Sequence, residues 1–229
     1  MRNRSPRFVV LLIAGIVVAA AAMFVEIAES VRESETVVRV DHHVYRFVLA
    51  HRSAWLTSIA KVVTQFGSTV AATIVVVLVA AFLLSRRRVV DAAFVVCSSL
   101  GTGLLVSIVK HVVGRPRPPL AHRLVHATGD AFPSGHAGQS VACWVAVAID
   151  GAALVRARRV QFALYIGAIV LALAIGASRV YLGVHWTSDV VCGWLLASGW
   201  LLALTGARFV VTGPGRRGGD DQSVRSGNT

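Results

Sequence analysis

The stretch that decides the fold is Phe162–Val211, FALYIGAIVLALAIGASRVYLGVHWTSDVVCGWLLASGWLLALTGARFVV. Two apolar runs, Phe162–Ala177 and Val190–Val211, each approach the roughly 20 residues that a helix needs to cross a bilayer. Between them stands SRVYLGVHWTSD (residues 178–189), which places an arginine, a histidine and an aspartate in one short break. Backbone polar groups inside hydrocarbon must be satisfied within their own segment, so the flanking runs are expected to be helices.

Working outward, four more runs have the same character: Phe8–Val25, Phe66–Leu84, Val89–Val109 and Ala137–Val155. The chain is 55% hydrophobic and only 15% charged, with mean hydropathy +0.69. That is too apolar for an ordinary water-soluble domain. The expected fold is therefore all-α: one six-transmembrane-helix bundle over residues 1–212, followed by a polar, disordered tail over 213–229. Arg2, Arg4 and Arg7 precede the first run as they would in a signal peptide. The run exceeds the usual apolar core of such peptides, so it is expected to be retained as a span.

The net charge of +12 invites a nucleic-acid reading. The arginines flank apolar runs instead of lining one face, and membrane orientation accounts for them better. Arg2, Arg4, Arg7, Arg86–Arg88, Arg156, Arg158, Arg159, Arg208, Arg216, Arg217 and Arg225 all fall on one side of the alternating topology. Both termini are accordingly expected in the cytoplasm, and the first, third and fifth loops outside. The basic residues of the first loop share it with Glu26, Glu29, Glu33, Glu35 and Asp41. Lys110, Arg115, Arg117, Arg123 and Arg179 have no such excuse for standing on the outer side, so chemistry must place them there.

Other features carry less. Cys97, Cys143 and Cys192 sit inside apolar runs without metal or disulfide spacing, and act as small apolar fillers. Val37–Val63 is expected to lie on the outer surface as an amphipathic helix, with Tyr45 and Trp55 at the interface. His42, His43 and His51 lack ligand spacing, and no metal is expected. Asp91 and Asp150 are expected to be interfacial charges.

The third loop opens with KHVVGRPRPP (110–119) and closes with FPSGH (132–136). With the opening stretch it supplies the cations Lys110, Arg117 and Arg179, the hydroxyl of Ser134, two imidazoles, His136 and His185, and the carboxylate of Asp189. Such an inventory suits phosphoryl transfer, which depends mostly on positioning and on offsetting negative charge. Arginine donates in a planar fork and lysine as a point charge. A helix beginning at PSGH points the amides of Gly135 and His136 at an anion, and Gly135 permits close approach. One histidine attacks phosphorus and the other serves the leaving oxygen. Asp189 stands four residues after His185, so a helical turn brings carboxylate to imidazole, whereas His136 has no such neighbour in sequence. His185 is therefore expected to be the nucleophile and His136 the proton donor. Arg115, His111, His122, Arg123 and His126 are expected to play no direct part.

Three ordered blocks, KHVVGRPRP, PSGH and SRVYLGVHWTSD, resemble the signature of the type 2 phosphatidic acid phosphatase superfamily at every defining position. The resemblance implies catalysis by His185, His136 and Asp189, with phosphate bound by Lys110, Arg117, Ser134, Gly135 and Arg179. It also implies a cofactor-free, metal-independent phosphatase in the plasma membrane, acting on a lipid phosphate or pyrophosphate of the outer leaflet. Undecaprenyl pyrophosphate is the expected substrate, with phosphatidic acid or phosphatidylglycerol phosphate as alternatives. Vanadium-dependent haloperoxidases share the site pattern but are soluble, which six apolar runs oppose. A non-catalytic membrane protein would have no chemical need for both histidines and the aspartate.

Overall fold

A computed structural model of the chain describes residues 6–33 and 35–212. Among these residues the structure is entirely helical: α1 Pro6–Glu33, α2 Glu35–Ala50, α3 Ala54–Gln65, α4 Thr69–Ser85, α5 Val89–Val113, α6 Gly135–Leu154, α7 Arg158–Tyr181 and α8 Thr187–Thr212. A single 3₁₀ turn, Leu120–His122, interrupts the long α5–α6 connection. Five helices, α1, α5, α6, α7 and α8, are long and apolar enough to span a membrane. The pair α3–α4, bent by 46°, makes a sixth span if counted as one. The 213–229 tail lies outside the described residues.

α6 sits at the centre. Its sequence alternates small residues, and Ala137, Gly138, Ser140, Ala142, Cys143, Ala146, Ala148 and Ala152 are all buried. Where lipid tails are as apolar as the side chains, helices associate through such close backbone approach. One turn of α6, Val141–Val145, is π-helical, the kind of local widening found often near functional sites. Around it pack Val76 and Leu83 of α4, Phe94 and Val95 of α5, Ala172 of α7, and Ala197 and Leu201 of α8. α1 lies antiparallel to α8, with Ile13 near Gly206 and Ala20 near Gly199.

Helix ends follow from local chemistry. Gly114 closes α5 in the left-handed conformation (φ 61°), its N–H returning to the Lys110 carbonyl at 2.9 Å; a residue with a Cβ is strained there. The prolines beyond it cannot extend the helix, so RPRPP leaves in extended form. Ser134 is the N-cap of α6, and its Oγ accepts from the Ala137 N–H at 3.4 Å.

Two sequence expectations need correction. Val37–Val63 is not one surface helix but α2 and α3 broken near Arg52, and α2 buries Asp41 (2% exposed) and Tyr45 (6%) against the bundle. Tyr45 packs on Trp186 with ring centroids 5.4 Å apart, which removes it from the surface. Nor is Asp150 interfacial. It is 1% exposed, and Arg208 of α8 bridges its Oδ1 and that of Asp91, both at 2.6 Å, while Arg88 also pairs with Asp91. A buried carboxylate needs such a partner, and this cluster ties α5, α6 and α8 at the end of the bundle away from Lys110, Arg179 and His185.

Candidate active site

The sequence-selected residues meet at one end of the bundle. Lys110 comes from the last turn of α5, Arg117 from the α5–α6 connection, and Ser134, Gly135 and His136 from the start of α6. Arg179 comes from the last turn of α7, His185 from the α7–α8 break and Asp189 from the first turn of α8.

His185 is 2% exposed. Its Nδ1 faces Asp189 Oδ2 at 3.4 Å, and its Nε2 receives a hydrogen bond from Arg117 Nη1 at 3.0 Å. A guanidinium only donates, so Nε2 holds the lone pair and Nδ1 carries the proton. Burial pulls the imidazole down to about 4, and the hydrogen bond and charge of Asp189 work in the opposite direction. Near neutrality the ring is therefore an uncharged base with its lone pair on Nε2.

Arg117 is held by carbonyls on every side. Nε donates to Gly129 at 2.9 Å, Nη1 to Val184 at 2.8 Å, and Nη2 to Thr128 and Asp130 at 3.0 and 3.2 Å. Burial lowers its proton affinity from the usual arginine range. The Lys110 ammonium donates to the same Asp130 carbonyl, so one oxygen fixes two cations side by side. Arg179 is the least committed cation. Its Nη1 donates to Thr64 Oγ1 at 2.8 Å, while its buried Nε has no partner. His136 lies within electrostatic reach of Arg179, His185, Arg117 and Lys110.

Backbone contacts lock the two halves together. The Ser134 N–H donates to the Asp189 carbonyl at 2.9 Å, joining PSGH to the first turn of α8. Gly193 permits this: a Cβ there would stand 2.5 Å from the Ser134 carbonyl oxygen and 3.1 Å from Ala137 Cβ. Leu124 donates to the Leu182 carbonyl at 2.9 Å, and Trp186 Nε1 to that of Pro116 at 3.0 Å.

Sequence reasoning left out Arg115 and Asp41, and the structure puts both at the site. Arg115 (9% exposed) reaches Asp189 Oδ1 at 2.6 Å and Asp41 Oδ2 at 2.8 Å. The spacing of the three blocks gave no sign of Asp41, which is 148 positions from Asp189 in the chain. Arg115 was visible as a cation on the unexpected side. Among the described residues no three His, Cys, Asp or Glu side chains are grouped to hold a metal ion.

One end of the helical bundle thus gathers two histidines, two carboxylates and four cations, Arg115 and Asp41 included. The chain belongs to the PAP2 superfamily, whose family model matches residues 88–212, more than half of its length. It is 28% identical over 178 residues to phosphatidylglycerophosphatase B of Bacillus subtilis (strain 168), covering 76% of this chain and 86% of that protein. It is 29% identical over 149 residues to undecaprenyl-diphosphatase BcrC of the same organism, covering 62% and 70%. The crystal structure of a transmembrane PAP2 type phosphatidylglycerolphosphate phosphatase from Bacillus subtilis superposes with a TM-score of 0.77 at 26% identity, covering 85% of this chain and 96% of that one. The chain is thus a multi-pass membrane enzyme, a lipid phosphatase of this superfamily.

Proposed function

We propose that the enzyme removes a terminal phosphate from a lipid through a phosphohistidine at His185, at the outer face of the plasma membrane. The observation that carries the reading is the polarity of His185: Nδ1–H toward Asp189 and the Nε2 lone pair toward the Arg117 donors. Nε2 attacks phosphorus while the bond to the lipid oxygen breaks, and His136 gives that oxygen a proton. Water then attacks phosphorus, its proton returns to His136, and the P–N bond breaks to release phosphate and free His185. Arg117, Arg179, Lys110, the Ser134 hydroxyl and the amides at Gly135 and His136 offset the charge on the three equatorial oxygens.

Orientation is supported by the arginines at the end away from the site, Arg86–Arg88, Arg156, Arg158 and Arg159, which favour a cytoplasmic location. As substrate, undecaprenyl diphosphate is supported by the likeness to an undecaprenyl-diphosphatase. Phosphatidylglycerol phosphate is the second reading, favoured by a relative and a solved structure that match over a larger share of both chains.

Phosphate release from a panel of both lipids and phosphatidic acid, in detergent with EDTA, tests the reading. Release from the native enzyme and none from His185→Ala is expected, and the ratio of rates chooses the lipid. Full release by His185→Ala would overturn the phosphohistidine, and loss of native activity in EDTA would overturn metal independence. A reporter fused after Thr229 should be found in the cytoplasm.

A further inference from the structure

Building on the phosphohistidine reading, we infer that Arg115 and Asp41 are positioning residues that set the charge and aim of Asp189, and through it the reactivity of His185. The two oxygens of Asp189 have separate duties. Oδ2 faces His185 Nδ1 and accepts the Trp186 N–H at 2.8 Å. Oδ1 takes Arg115 Nη1 at 2.6 Å. Arg115 Nη2 then donates to Asp41 Oδ2 at 2.8 Å. Ser188 closes the ring, receiving Arg115 Nη1 at 2.8 Å and donating its hydroxyl to Asp41 Oδ2 at 2.5 Å and its N–H to Asp41 Oδ1 at 2.9 Å. Asp41, Ser188 and Asp189 are 2%, 8% and 0% exposed, and the Trp186 ring covers the Arg115 guanidinium at 5.6 Å.

Charge explains why two residues are needed. Arg115 alone would form a neutral pair with Asp189 and draw the carboxylate's charge away from the imidazole. Asp41 takes the other half of the guanidinium, so the row Asp41, Arg115, Asp189 keeps one net negative charge beside Nδ1–H. That charge stabilises the imidazolium-like ring formed when Nε2 is phosphorylated. In metal sites, the partners that orient a ligating histidine change metal affinity or activity by about 10–100-fold when removed, and a comparable effect is expected of this orienting pair. Asp41 also caps α8 through the Ser188 N–H, which gives α2 a task at the reaction centre.

The test is a set of pH profiles of kcat/KM on one lipid substrate for Asp41→Asn, Arg115→Met and the double variant. The charged and titratable groups around His185 are Asp189 on α8, Arg117 on the connection, Arg179 on α7, Lys110 on α5 and His136 on α6. None is altered in the series, so differences report Asp41 and Arg115. Asp41→Asn should move the acid limb to lower pH, and Arg115→Met to higher pH. Both should lower kcat by about tenfold with little change in KM. The double variant, with the native net charge, should bring the limb back. Three coincident limbs would overturn the inference, as would shifts of the same sign. Where a variant gives no monodisperse peak in detergent, Asp41→Glu and Arg115→Lys take its place. These keep the charges, so reduced kcat with an unmoved limb supports the inference and a moved limb overturns it. If His185→Ala is fully active the phosphohistidine itself fails; if it is inactive and the limbs coincide, only this inference does.

Discussion

Arg117 Nη1 and His185 Nε2 are hydrogen-bonded at 3.0 Å, so the residue proposed to hold phosphate and the atom proposed to attack it already share a contact. In the proposed reaction a phosphoryl group at Nε2 would enter that contact and take the donor onto its own oxygens. The carbonyls of Gly129, Val184, Thr128 and Asp130 keep the guanidinium in place meanwhile. Arg117→Lys keeps a charge but loses the fork. It should lower kcat by about 10²–10³-fold, the cost of one missing donor to a developing oxyanion. Steady-state phosphate release measures it, with Arg123→Lys as a comparison expected near native.

The proposed nucleophile has to be uncharged, and burial pulls the His185 imidazole down to about 4. Activity should hold through neutrality and fall as pH drops through about 4. Asp189→Asn removes an influence that favours protonation, so its residual activity should have an acid limb at lower pH than native. The unfolded imidazole protonates near 6.5. Between 6.5 and 4 the unfolded chain therefore binds more protons than the native one, so stability decreases as pH is lowered through that window. Thermal melts of the native protein and His185→Asn across it should show a smaller loss for the variant.

Gly193→Ala should push α8 away from PSGH, since the new methyl meets the Ser134 carbonyl oxygen at 2.5 Å. Overpacking of this kind costs about 1–3 kcal/mol. The loss should appear both as a lower melting temperature and as lower kcat, because Ser134 and Asp189 share a backbone hydrogen bond. Gly167→Ala on α7, where a Cβ meets nothing within 4 Å, should leave both unchanged.

Arg208→Leu strands the buried Asp150 and half of the pairing of Asp91. Removing one partner of a buried ion pair costs about 3–5 kcal/mol, and the 19% exposure of Arg208 argues for the low end. Melting in detergent should fall accordingly, while kcat of the folded fraction stays native. Asp150→Asn combined with Arg208→Leu should recover part of the loss.

Five of the six expected spans were legible because hydrocarbon leaves the backbone little choice; Phe66–Leu84 differs, since its helix reaches spanning length only together with α3 across a 46° bend. Phe162–Ala177 lengthens to Arg158–Tyr181, which carries Arg179 on the last turn of the helix, where its side chain reaches Thr64. That Lys110, Arg117, Ser134, His136, Arg179, His185 and Asp189 come together was legible because ordered motifs hold them at short range. Asp41 was not, because its importance comes only from the packing of α2 on α8. The burial of Asp150 was hidden for a related reason: it reads as an end charge until the fold pairs it with Arg208.

The placement of Asp41 bears on what can be exchanged between relatives. The stretch that matches the family model, 88–212, holds every residue of the proposed chemistry, yet the carboxylate paired with Arg115 enters from α2, outside it. A chimaera that grafts this stretch onto another membrane scaffold inherits the tools without the vise. Carrying Glu35–Ala50 along with the graft should decide whether it turns over or merely inserts.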